Sequence, residues 1–273
     1  MTYSIDPRIS MLYQWDPRTK FKLYYGDFHQ QRYKTNDIME SLTSVRSEIA
    51  DLSMEGATHY GLGVEQYWRS DWLMKTELFY KTYNALAIDM GVFPAESFEN
   101  KGSGKAGGAE FMVQKISGDD YKGWLSYTYS KTRRDDKEGW YTPDYDVTHM
   151  FNAYLDYQVS TQNSWITTLT YSTGKPYTPV LSQAQNSGTG VTEYNMGERF
   201  SKRLPNYFRI DAWWEWRGLK DPYFNYESKL RLGIYNILNH INHTGYTWSK
   251  IDAESVFISD FPRMPIIAYT VYL

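Results

Sequence analysis

The chain has 273 residues, with 29 Lys and Arg against 32 Asp and Glu, so its formal charge of −3 gives no hint of a nucleic-acid partner. Its 26 Tyr, 10 Trp and 12 Phe exceed what a packed globular core needs, and Tyr and Trp favour membrane–water boundaries. No window approaches the about 18 consecutive apolar residues of a helical membrane span.

What the chain has instead is alternation. Ile9, Met11, Tyr13 and Trp15 precede the turn 16–19, and Phe21, Leu23 and Tyr25 follow it. Tyr60, Leu62, Val64 and Trp68 run to the turn 69–71, and Trp72, Met74, Leu78 and Tyr80 run back. Residues 105–116 and 121–132 flank the turn 117–120, with Leu125, Tyr127 and Tyr129 on one face. Phe151, Ala153, Leu155 and Tyr157 alternate with Asn152, Asp156 and Gln158, and after 160–163 the pattern continues through Trp165, Thr167, Leu169 and Tyr171. The clearest runs are 206–217 and 225–235. In the first, Phe208, Ile210, Ala212, Trp214 and Trp216 oppose Tyr207, Arg209, Asp211, Trp213, Glu215 and Arg217. In the second, Tyr226, Ser228, Leu230, Leu232 and Ile234 oppose Asn225, Glu227, Lys229, Arg231 and Tyr235. Ile267, Tyr269, Val271 and Leu273 make a final strand.

Strands of about ten residues with one apolar, aromatic face and one charged face predict an all-β fold. The class is an antiparallel transmembrane β-barrel meander of about eleven strands. Short turns near 16–19, 69–71, 117–120, 160–163 and 218–224 alternate with long loops over about 29–57, 89–104, 134–146, 173–205 and 237–263. Periplasmic turns and extracellular loops differ in this way. An odd strand count puts the two chain ends on opposite sides of a membrane, whereas bacterial single-chain barrels are even-stranded. Two copies do not repair this, because the joining strands would be parallel. The start, Met1 to Pro7, also lacks the basic and apolar regions of an export signal. Residues 1–273 therefore read as the C-terminal portion of a longer barrel.

Several stretches carry a specific resemblance. Gly104 to Lys115 followed by Gly123 to Lys131, Tyr145 to Asn152, and Ser172 to Thr178 resemble the mid-barrel of TonB-dependent receptors. Arg203 to Asp211 and Tyr235 to Asn239 resemble the pair near that family's C-terminus, and Gly26 to Gln31 and Glu77 to Leu86 fit upstream. The flavour is that of Bacteroidota-like receptors. The resemblance implies a barrel of about 22 strands around an N-terminal plug. It implies outer-membrane import of siderophore-iron, cobalamin, a glycan or a peptide, energised through TonB. The implied partners are outer-membrane lipid, the plug and N-terminal strands, TonB through that plug, the barrel-assembly machinery and the nutrient. The final Leu273 departs from the terminal aromatic, commonly Phe, that the assembly machinery reads in such barrels.

Candidate contacts fall in two groups. Arg209, Asp211, Glu215, Glu227, Lys229 and Arg231 share the charged face and read as lumen wall or plug contact, with cross-strand pairs each contributing about 0.2–1 kcal/mol. Trp140, Tyr141, Tyr177, Tyr194, Tyr246 and Trp248 fall in the long loops, where aromatic rings stack on a ligand or pack the loops themselves. Gly102 to Gly107 spells G-x-G-x-x-G but closes a loop and opens a strand, which does not suit a dinucleotide. His240 and His243 lack an evident third metal ligand and read as solvated loop residues. No Ser/His/Asp grouping suggests catalysis, and neither a metal nor a cofactor is expected. A passive outer-membrane pore, an outer-membrane barrel enzyme and a soluble sandwich are the competing readings; the first is opposed by strand parity and the last by the outward Trp and Tyr.

Overall fold

The computed structural model of the chain describes residues 3–31, 52–89, 98–118, 120–185, 188, 192–220, 223, 226–249 and 254–272. Among these residues there are strands and turns and no helix. Eleven strands follow one another in a single hydrogen-bonded order. They are β1 (Arg8–Asp16), β2 (Thr19–Gln30), β3 (Glu55–Arg69), β4 (Trp72–Asp89), β5 (Phe98–Lys115), β6 (Tyr121–Asp136), β8 (His149–Gln158), β9 (Asn163–Ser172), β14 (Tyr207–Lys220), β15 (Glu227–Tyr235) and β18 (Met264–Val271). Every register resolved between them is antiparallel. The eleven-strand meander expected from alternation is the order observed.

The loops differ from expectation. Seven shorter strands occupy segments read as irregular: β7 (Gly139–Tyr141), β10 (Pro176–Tyr177), β11 (Val180–Gln185), β12 (Thr192–Met196), β13 (Lys202–Arg203), β16 (His243–Ser249) and β17 (Glu254–Ser259). They form β6–β7, β10–β13, β11–β12 and β16–β17 pairs. Long loops that must satisfy their own backbone groups do so by folding back as small hairpins. The main strands are also longer than alternation marked. β3 begins at Glu55, β4 runs to Asp89 and β5 begins at Phe98. The G-x-G-x-x-G stretch therefore lies within β5, not at a loop end, and a Cβ on Gly102 would lie 2.7 Å from Ile88 Cγ2. Crowding by β4 explains a glycine there. Asp119, Asn225, Leu273 and much of the expected loops 29–57 and 89–104 lie outside the described residues.

The chain divides into two compact units. Unit 1 comprises 1–64, 77–109 and 130–143, and unit 2 comprises 65–76, 110–129 and 144–273. Unit 2 inverts the usual rule of burial. Its buried residues include Asp146, Asp156, Ser164, Asp211, Glu215, Ser228, Asn236 and Asn242, whereas Ile267 is 73% exposed and Leu155 44%. A soluble protein buries the opposite set. Of the apolar strip expected to face outward, Leu125 and Leu155 are exposed, and Leu169, Ile210, Trp214 and Leu230 are half-buried. Trp214 is shielded by aromatic neighbours, standing edge-on to Trp165 and to Trp216 at centroid distances of 6.2 and 6.1 Å. The strip is not a core, as a sandwich would require. Ser228 departs from it, buried with its hydroxyl donating to the Leu219 carbonyl and accepting from Tyr269.

Candidate functional site

The charged face of unit 2 is built by register. Glu215 sits opposite Arg231 on β15 and opposite Ser164 on β9, and Lys122 on β6 sits opposite Asp156 on β8. Arg231 Nε donates to Glu215 Oε2 and Arg217 Nε to Oε1 at 2.5 Å, with Lys229 Nζ 3.9 Å away. Arg217 Nη2 also lies 3.7 Å from Asp156, which Lys122 approaches at 3.6 Å. The result is an alternating series, Lys122–Asp156–Arg217–Glu215–Arg231, on one face of four strands. Glu215 is 2% exposed, while its two arginines keep about 40% of their side chains in solvent. Two residues before Glu215, Trp213 lies over Gly233 of β15, where a Cβ would lie 2.2 Å from the indole.

Arg209 and Asp211 form a second cluster. Arg209 Nε donates to Asp211 Oδ2 at 3.1 Å, and its Nη1 donates to the hydroxyls of Tyr235 at 2.6 Å and Tyr207 at 2.8 Å. Both tyrosines donate to Asp260 Oδ2 at 2.7 Å, tying β14 and β15 to the segment before β18. Asp211 Oδ1 accepts from the Asn236 backbone, where φ of 50° is tolerated by Asn. Asn236 then donates to the carbonyls of His240 and Phe261. Asn242, 1% exposed, binds Phe208 N at 2.7 Å and Phe208 O at 2.9 Å, so its amide substitutes for a neighbouring strand at the end of β14.

Of the six wall residues expected, Glu215, Lys229 and Arg231 meet, and Arg209 and Asp211 meet in the other cluster. Glu227 joins neither; it is exposed, opposite Lys220 at the far end of β14. Sequence reasoning missed Asp156, Asp260, Asn236 and Asn242 as members. Asp156 was legible as a charge on the right parity, but the asparagines work through backbone contacts that no alternation marks.

Burial opposes charge on Asp260, but the hydrogen bonds from Tyr207, Tyr235 and the Phe261 amide outweigh it and hold the carboxyl below its ordinary value. A depressed folded value means that Asp260 stabilises the loop above the ordinary carboxylate range. That stabilisation is lost as pH falls through the folded value. Protection of the amides at 242–249 and 254–260, relative to free-peptide exchange, should thus be lost as pH falls through that depressed value, and Asp260→Asn should lack it at every pH. Acid-insensitive protection in the unsubstituted chain would refute this role.

The loop aromatics are partly gathered. Tyr177 packs on Tyr246 at 4.5 Å and edge-on to Phe257 at 6.2 Å. Tyr246 OH accepts from Val180 N at 2.8 Å, and Trp248 Nε1 donates to Gln183 at 2.8 Å, docking β16 against β11. Tyr194 lies on β12 opposite Gln183. Trp140 and Tyr141 lie on β7, in unit 1. Arg203 anchors the base of the loop, reaching Asp146 Oδ2 at 2.6 Å and the Gly174 carbonyl at 2.9 Å. Gly174 is needed there, since a Cβ would lie 1.6 Å from Leu204 O. His240 and His243 bind separate partners, Asn242 Oδ1 at 3.0 Å and Ser259 Oγ at 3.1 Å; His240 is exposed and His243 half-buried. Among the described residues no group of three metal-ligating side chains occurs.

The antiparallel meander is similar in fold to part of three solved outer-membrane proteins. The ferric-catecholate import receptor Fiu from K12 E. coli aligns with 96% of this chain at a TM-score of 0.66 and 14% identity. The ferripyoverdine receptor of the outer membrane of Pseudomonas aeruginosa aligns with 97% at 0.63 and 12% identity, and the FrpB iron transporter from Neisseria meningitidis with 97% at 0.65 and 12%. The chain spans about a third of their lengths: 34%, 32% and 38%. No protein-family model matches the sequence. No curated protein matches it either.

Proposed function

We propose that residues 1–273 form the C-terminal wall of a bacterial outer-membrane receptor barrel that imports a nutrient with energy relayed by TonB. The observation that carries this is the inverted sheet of unit 2, with Glu215, Asp211 and Asp156 covered and Ile267 and Leu155 bare. Only a solvent of lipid on the apolar face makes that arrangement stable, because water there would cost about 25 cal/mol per Å² of apolar surface. Its nutrient is a siderophore-iron complex, cobalamin, a glycan or a peptide, and iron is favoured because the solved relatives are described as iron receptors and transporters. The plug, the N-terminal strands, TonB and the assembly machinery are its partners in this reading. The charged series around Glu215 is lumen wall, suited to docking a plug of mixed sign, and the reading is of transport and not catalysis. The Bacteroidota-like source rests on sequence motifs alone.

The absence of cysteine makes the test direct. Single cysteines at Leu155 and Ile267 should resist a water-soluble maleimide in outer-membrane vesicles, and one at Thr168 should react. The reverse pattern would overturn the proposal. Ferric-siderophore uptake by the barrel carrying these residues should require TonB; equal uptake without TonB would make it a passive pore.

A further inference from the structure

The face of unit 1 that carries its apolar side chains also carries cations that the wall reading leaves unused. Met11, Leu23, Tyr60, Leu62, Leu78 and Tyr80 line an open groove of ≈ 590 Å³ across β1–β4. Gly107 on β5 shares the face of Tyr80, since a Cβ there would lie 3.1 Å from Tyr80 Cδ2. Alternation then puts Lys105 on the same face. On β6, Arg134 takes the opposite face, over Gly104, where a Cβ would meet Arg134 Cδ at 2.8 Å. Its guanidinium lies 4.3 Å from the centre of the Tyr83 ring. Arg133 and Lys131 therefore share the face of Lys105.

Lys105, Lys131 and Arg133 are all exposed, and among the described residues none has an acidic partner. Lys105 rests instead over the Trp140 ring at 4.8 Å. Lys101 differs, being paired with Glu99. Asp135 is the one carboxylate of β6 on this face, so cations outnumber it. Adjacent like charges on neighbouring strands destabilise a sheet unless an anion lies between them. An apolar groove that continues through Tyr80 and Gly107 into such a cluster matches one kind of molecule, a chain of hydrocarbon ending in phosphate. Lys stems extend along apolar surface to reach a headgroup, and Arg pairs with phosphate through two donors.

We propose that this face of β1–β6 in unit 1 holds an anionic membrane lipid whose headgroup ends in a phosphate monoester, with acyl chain along the Leu62–Tyr80 groove and phosphate on Lys105, Lys131 and Arg133. The proposal rests on the reading that the apolar face meets lipid, and it adds the headgroup that this face selects. The test measures binding of fluorescent phosphatidic acid to the closed barrel carrying these residues in neutral detergent micelles, with phosphatidylcholine and inorganic phosphate as competitors. Phosphatidic acid should bind and phosphatidylcholine should not displace it. The K105Q/K131Q/R133Q variant should bind at least about tenfold more weakly. Displacement by inorganic phosphate at the same concentration as phosphatidic acid would reveal a simple anion site and overturn the proposal. So would equal affinity in the variant, or equal affinity for phosphatidylcholine. A second variant, L62S/L78S, should weaken binding with the cations intact; no change would show that the groove holds no acyl chain. Should the cysteine at Leu155 react with water-soluble maleimide, the lipid-facing reading fails and takes this proposal with it. Should that cysteine stay shielded while the triple variant binds normally, this proposal fails alone.

Discussion

Replacing both Arg217 and Arg231 with Met should destabilise the wall more than removing Glu215 itself. Glu215 is 2% exposed and its carboxylate is held by those two guanidiniums, with Lys229 only at 3.9 Å. The double substitution leaves a buried carboxylate with one distant cation, and stranding a buried charge costs about 3–5 kcal/mol. Glu215→Gln loses the charge but keeps acceptor and donor, and the arginines remain partly hydrated, so its cost should be about 1–2 kcal/mol. Replacing all three with Leu, Met and Met removes Glu215 with both its arginines and, with Lys122 still 3.6 Å from Asp156, should cost less than the double substitution. Urea unfolding of the detergent-solubilised protein carrying these residues, followed by Trp fluorescence, reads each value. If Glu215→Gln proves the most damaging of the three, the cluster is not organised around the carboxylate.

Residues 1–273 expressed alone with an added export signal should give no heat-modifiable band and no energised uptake. The hydrogen-bonded order begins at β1 and ends at β18, and no pairing joins those two strands among the described residues. Each leaves a row of backbone donors and acceptors that lipid cannot satisfy, at several kcal/mol per group. β1 is exposed along its whole length, as an unprotected edge would be. Aggregation or degradation is expected, with rescue when N-terminal strands are supplied on the same or another chain. A detergent-stable, heat-modifiable monomer from these residues alone would show that the edges close on each other and that the strand parity is wrong.

The long strands were readable because a barrel wall repeats one physical condition at every second residue. Trp214, Leu232 and Leu155 must meet one solvent, and Glu215, Arg231 and Asp156 the other. That period of two needs no tertiary information, and it located all eleven strands of the main order, although β3, β4 and β5 extend beyond the runs it marked. The loops obey no such condition. Val180–Gln185 and Thr192–Met196 pair because the chain must satisfy its own amides away from the sheet, and nothing in their composition announces the partner.

The wall site was partly legible for the same reason. Parity put Arg209, Asp211, Glu215, Lys229 and Arg231 on one face, but only register decided that Glu215 meets Arg231 while Arg209 turns to Tyr235 and Asp260. Glu227 has the same parity and stays apart, because it begins β15 at the hairpin end, opposite Lys220. By itself, then, the sequence determined the faces, the strand number and the kind of solvent each face requires, since these follow from alternating side chains and local turns. Tertiary structure decided which charges neutralise one another, which asparagines stand in for missing strands, and where Lys105, Lys131 and Arg133 gather. Those outcomes depend on inter-strand register, and register is a relation between distant segments that no local pattern encodes.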